Sequence, residues 1–317
     1  MTTPDIHPGV LHRIPRLSTT GFPAPPLTAF EHSHGFSDPS TNTLIFLGGL
    51  FDGLLTVPFV PTLVRATSSN WTLTEPVLSS AYRQWGFSSL GEDVAEITIL
   101  VEYFRKLRPK GRIVLLGHST GSQQVMHYLL TKPTLPKIDG AIFQASASDR
   151  EVMTMFLQPS VYDSGCALAQ SYVNEGREDD ILPFGVTKSL FMSAPVSAKR
   201  FLSLASPGPL HAGEDDYFSS DLEDGRLENT FGVIGKTKTR LCFLFSGSDE
   251  YVPDTVDRVK MVQRWHEHAR RGGGVIDESS GVVSGATHTL KEGGMGLEDL
   301  VKRVVKFLGK LDVASEV

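Results

Sequence analysis

Three residue types that together carry out acyl transfer occur in a fixed order along this chain. Ser119 stands in Gly117-His118-Ser119-Thr120-Gly121, Asp249 in Gly247-Ser248-Asp249-Glu250, and His288 in Gly285-Ala286-Thr287-His288. A serine hydroxyl is a weak nucleophile until an imidazole takes its proton. The imidazole in turn needs a carboxylate to fix its tautomer and stabilise its cation. Gly-x-Ser-x-Gly alone says little in a chain with 30 glycines. Its setting is more selective. Ile113–Leu116 is a β-favouring run bounded upstream by Pro109-Lys110-Gly111. After Gly121, apolar residues at Val125, Tyr128 and Leu129 have helical spacing, and Pro133 ends the predicted helix. At so sharp a strand-to-helix turn the serine backbone is strained. The positions two residues away then pack too closely for a Cβ, which Gly117 and Gly121 satisfy.

The acid and the base follow the serine at predicted strand ends. Asp249 lies just past the run Leu241–Phe245, with Pro253 placed to open a helix. Glu250 and Asp254 are rivals for the acid, and Asp149 follows the preceding strand; the strand terminus ranks Asp249 first. His288 is the only histidine after His268 and sits on a loop of small residues. His118 lies inside the turn, where it packs or shapes the site. His32, His34, His127, His266 and His268 form no set with metal-ligand spacing, so neither a metal nor a cofactor is expected. Acyl transfer also needs donors for an oxyanion. The backbone N–H of Thr120 is one. The other is expected from the glycine loop FLGGLFDGLL, at the N–H of Leu50 with Phe51 one step away. Phe51, Trp85 and Tyr217, with Trp71 and Phe59, are aromatic candidates for the pocket wall, and the Trp85 indole N–H is placed to face the site.

These residues need a sheet to position them. Val10–Leu17 and Leu27–Glu31 read as short opening strands, with a turn over Gly21–Pro26. Thr43–Leu47, Trp71–Leu78, Ile113–Leu116, Ile138–Phe143 and Arg240–Phe245 read as strands, and Val275–Val283 as one strand or a broken pair. A helix capped by Ser88 runs to about Leu107, and further helices span Thr255–Arg270 and Leu297–Leu311. This alternation predicts an α/β fold: a mostly parallel central sheet with helices on both faces. It is interrupted once. Residues 149–238 hold helices near Val161–Glu175 and Ala194–Ala205 among acidic, Gly- and Pro-containing loops. The expected organisation is therefore core 1–148, lid insertion 149–238 and core 239–317, with the insertion over the edge of the sheet where ligands bind.

Composition removes other classes. A net charge of -6 argues against nucleic acid as a partner, and no apolar run is long enough for a membrane span. No basic segment followed by an apolar one is visible at the start, and Cys166 and Cys242 have no metal-like spacing. A cytoplasmic protein with reduced thiols is expected.

The pieces resemble the α/β-hydrolase superfamily across nearly the whole chain. FLGGLFDGLLTVPFV, SSL at Ser88–Leu90 with Asp93, LLGHSTGSQQVMHYL, DDYFSSDL and GSDEYVP together resemble a narrower fungal family that includes siderophore esterases acting on fusarinine C. The helix after the turn departs from that family, which often has Cys-Gln-Asp where this chain has Ser122-Gln123-Gln124. The resemblance implies hydrolysis of ester bonds in an iron-loaded hydroxamate siderophore inside the cell, with iron arriving as cargo. It leaves three rivals: a general carboxylesterase or lipase, an acyltransferase of the same fold, or a binding protein that kept it. The stretch His211–Gly225 carries Glu214, Asp215, Asp216, Asp221, Glu223 and Asp224 without Lys or Arg. Asp215, Asp216 and Tyr217 are read here as contacts for a cationic ligand; the other reading is a solvated acidic loop.

Overall fold

A computed structural model describes residues 6–16, 24–32, 38–131, 135–191 and 194–313. The turn expected over Gly21–Pro26 falls partly outside these residues, and Leu17, His34 and Pro133 lie wholly outside them. Two antiparallel strands, β1 (Val10–Ile14) and β2 (Leu27–His32), form one edge of the sheet. They join β4 (Trp71–Val77), after which every pairing is parallel: β4 with β3 (Asn42–Leu47), then β5 (Ile113–His118), β6 (Gly140–Gln144) and β7 (Arg240–Ser246). The last expected strand is a broken pair, β8 (Val275–Ile276) and β9 (Gly281–Val283), both parallel to β7. Asp277 and Ser280, between them, cap the break: the Arg240 guanidinium and the Lys310 ammonium hold Asp277, and the Ser280 hydroxyl accepts the Phe243 N–H.

Buried central strands explain the unbroken apolar runs. Residues facing one side pack under α2 (Leu90–Leu107), α3 (Thr120–Leu130) and α10 (Arg258–Arg271). Those facing the other pack under α1 (Val60–Ala66) and α11 (Gly294–Val313). Two helix starts differ from expectation by a few residues. Ser89, not Ser88, caps α2, in a reciprocal capping box with Glu92. Asp257 caps α10, so the helix begins three residues later than Thr255.

Between β6 and β7 the chain forms α4 (Asp149–Phe156), α5 (Pro159–Asn174), α6 (Phe184–Phe191), α7 (Ala198–Ala205) and α8 (Asp224–Leu227). A wider turn of π-helix (Glu228–Gly232) leads on into α9 (Val233–Gly235). Met153, Cys166, Ala169, Leu182, Phe191, Phe201 and Leu204 make a separate apolar cluster that also takes in Trp85. Tyr217, Phe218, Leu222, Leu227, Phe231 and Ile234 belong instead to the core under the sheet, packed around Trp265. Packing thus changes near residue 217, ahead of the boundary expected at 238, because the second half of the insertion returns to the sheet. No helix among the described residues is long and apolar enough to cross a membrane.

Candidate active site

Ser119 occupies the turn between β5 and α3 with φ 54° and ψ -125°, a conformation that costs an L-residue energy and lifts the hydroxyl clear of the sheet. The glycines permit the close approach. A Cβ on Gly121 would meet the Leu47 carbonyl oxygen at 2.2 Å, and one on Gly49 would lie 2.7 Å from the Ser119 Cβ. The Gly49→Ala variant is therefore expected to fold but to lose about 10²-fold in kcat, because the nucleophile is pushed out of line. Circular dichroism and ester turnover together check this; unchanged turnover would mean that the glycine loop does not border the reacting atoms.

The Ser119 Oγ lies 2.9 Å from His288 Nε2, and His288 Nδ1 lies 2.8 Å from Asp249 Oδ2 and 3.0 Å from Oδ1. Asp249 is 2% exposed and His288 6%, so bulk water does not compete for these bonds. The loops hold the partners in turn. Tyr251 donates its N–H to Asp249 Oδ1, and the His288 N–H donates to Glu250 Oε2. Glu250, a rival for the acid, thus grips the backbone of the histidine and leaves the ring to Asp249. Tyr251 stands edge-on to the His288 ring, with centroids 4.8 Å apart. Beneath it, His118 is buried against Phe59 and bonds Gln144 Oε1 through Nδ1. Burial, and then the neighbouring His288, push its pKa down to about 4, so a neutral ring underlies the site at neutral pH.

Thr120 opens α3, so its N–H has no intrahelical acceptor. The Leu50 N–H has no acceptor among the described residues. Asp52 shapes the loop that carries it, accepting the Gly49 N–H at 2.7 Å and the Thr56 hydroxyl at 3.0 Å. Phe51 adopts φ 67°. Leu50, Phe51, Ser119, Thr120 and His288 line one cavity of about 410 Å³, closed on its far side by Ala147, Val152, Met153, Phe191 and Tyr251. Ser88 and Asp93 do not line this cavity. Asp93 accepts the Gln124 side-chain amide at 2.7 Å and so ties α2 to α3, while burial pushes its carboxyl up to about 6.

Six of the expected pocket residues do not line this cavity, Phe59 and Trp71 among them: Phe59 packs against Phe46 and His118, and the Trp71 indole donates to Asp312 Oδ1 at 2.9 Å. Trp85 is buried edge-on against Phe51 and Phe191 and lines, with Gly49, Leu50, Thr120 and Arg200, a smaller neighbouring cavity rather than the one beside Ser119. Asp215 is 2% exposed and bonds Arg200 Nη1 at 2.5 Å and the Ser203 hydroxyl at 2.6 Å. Asp216 is 4% exposed and bonds Arg150 Nε at 2.8 Å. The Tyr217 hydroxyl is 2.7 Å from His127 Nδ1. The acidic run is thus neither a ligand contact nor a wholly solvated loop: its central acids fasten the chain to α4 and α7. Conversely, Asp149, considered only as a rival acid, lines the cavity with Tyr251 and Thr289. Among the described residues no group of three or more His, Cys, Asp or Glu is arranged to hold a metal.

Residues 2–309 match the family described as Protein of unknown function (DUF1749). The fusarinine C esterase sidJ of Aspergillus fumigatus is 33% identical, over 96% of each chain. The solved siderophore hydrolase EstB from Aspergillus fumigatus superposes with a TM-score of 0.79 at 33% identity, over 96% of this chain and 98% of that one. A solved α/β-hydrolase fold protein of unknown function, 16% identical, superposes with a TM-score of 0.66 over 99% of this chain and 100% of its own, which shows the fold. The chain belongs to the DUF1749 family, has the α/β-hydrolase fold and is a carboxylic ester hydrolase.

Proposed function

We propose that this chain is a serine esterase that opens ester bonds of a ferric hydroxamate siderophore of the fusarinine C type, in the cytoplasm, with release of iron as the outcome. The observation that carries the chemistry is the unbroken contact from Asp249 through His288 to Ser119, on the wall of a cavity large enough for an ester and its flanking arms. In this reading His288 accepts the Ser119 proton as Oγ attacks the ester carbonyl. The Leu50 and Thr120 N–H groups hold the oxyanion, and His288 returns the proton to the leaving alcohol. Water then repeats the sequence on the acyl-serine and frees the acid. The segment between β6 and β7 acts as the lid, since Val152, Met153 and Phe191 complete the cavity wall. No cofactor takes part, and iron enters with the substrate. The substrate assignment is supported by the two relatives named for siderophore hydrolysis.

Incubation with ferric fusarinine C, read by mass spectrometry, tests the assignment. Opened products are expected with the wild type and none with Ser119→Ala. If the wild type leaves the siderophore closed yet hydrolyses butyl butyrate, the esterase remains and the siderophore assignment falls.

A further inference from the structure

The insertion supplies both of its buried arginines with acids. Arg200 is taken by Asp215, and Arg150 by Asp216 and Asp221. One acid of the same region lines the cavity and has no such partner. Asp149, the first residue of α4, is half-buried on the cavity wall and makes no ion pair among the described residues. Among the described residues its side chain takes one hydrogen bond, to Oδ2 from the Gln123 side-chain amide at 3.0 Å, which leaves Oδ1 open. Asp52, the other carboxylate lining the cavity, has both oxygens engaged by its own loop. No Lys or Arg lines this cavity among the described residues.

We infer that Asp149 is a specificity residue of the esterase site, selecting esters that carry a primary ammonium group a few bonds from the scissile carbonyl. A second feature of the same cavity fits that ligand. Phe51, Phe191 and Tyr251 are among its lining residues, and aromatic rings attract cations. An unpaired carboxylate in such a place is costly to keep charged. Burial first, and then the nearby Asp215 and Asp216, push its pKa up to about 7; Arg200 and His288 pull the other way. A bound ammonium would remove that cost, so ligand binding and ionisation of Asp149 favour each other.

The inference rests on the esterase reading, and matched esters separate the two. The test compares kcat/KM for butyl 4-aminobutyrate and its neutral relative butyl 4-acetamidobutyrate. At pH 8 the wild type is expected to favour the ammonium ester about tenfold, the worth of one partly exposed charge-assisted contact. That ratio should shrink as pH falls from 8 to 6, because Asp149 takes up a proton while the ammonium stays charged. Effects of His288 on turnover act on both esters and cancel in the ratio. Asp149→Asn should bring the ratio to about one, flat with pH, through KM for the ammonium ester; Asp149→Glu should restore part of it. Equal turnover of both esters by the wild type would overturn the inference, whatever the variants do. So would an Asp149→Asn variant that lowers both esters by the same factor, since Asp149 would then only brace α4 through Gln123. Hydrolysis of butyl butyrate but of neither test ester would overturn it too and leave the esterase standing.

Discussion

Replacing Ser119 with alanine is expected to lower kcat for butyl butyrate by about 10⁵-fold or more without changing thermal stability by more than a degree or two. The size follows from what remains. The Leu50 and Thr120 donors and the cavity wall still bind the ester and stabilise an oxyanion, but a water must now find its own attacking geometry. Stability should hold because, among the described residues, the Ser119 Oγ hydrogen-bonds only His288, and because alanine and serine both carry a Cβ and bear the same backbone strain at φ 54°. The same variant should fail to take up a fluorophosphonate. His288→Ala should fall about as far, and the double variant hardly further, since nucleophile and base act as one unit. Residual turnover within tenfold of the wild type would place the nucleophile elsewhere.

The candidate site was legible in the sequence where an apolar run stops. Parallel strands covered on both faces must be apolar throughout, so β3, β5, β6 and β7 announce their own ends, and Gly48, Ser119 and Asp249 lie at or just past them. The helix α4 was missed, although Ser148 and Glu151 have the spacing of a helix start and the Ser148 hydroxyl does accept the Glu151 N–H. That omission hid Asp149, because its place on the cavity wall depends on α4 turning across the sheet edge. The acids at 214–224 were misread for a different reason. Local composition counts charges but says nothing of partners distant in sequence: Arg150 reaches Asp216 across 66 residues and Arg200 reaches Asp215 across 15. A segment pinned by such pairs looks, in sequence, like an acidic surface.

Asp249→Asn is expected to lower kcat by about 10⁴-fold while leaving the fold and KM largely intact. The cause is a tautomer, not a lost contact. Tyr251 donates its N–H to Oδ1 of Asp249, so an asparagine there keeps its carbonyl oxygen at that position and turns its NH₂ toward Nδ1 of His288, the place now held by Oδ2. An amide donor at that point requires Nδ1 to accept. The ring proton then moves to Nε2, the atom that faces Ser119, and the base can no longer take the serine proton. Glu250→Gln makes the needed comparison. Its amide oxygen can still accept the His288 N–H that Glu250 Oε2 accepts now, and no tautomer changes. Its effect on kcat should therefore be at least about 100-fold smaller than that of Asp249→Asn. Steady-state kinetics on one ester with all three proteins decides between them. Equal losses in the two variants would mean that the loop as a whole positions His288 and that Asp249 has no separate role as the acid.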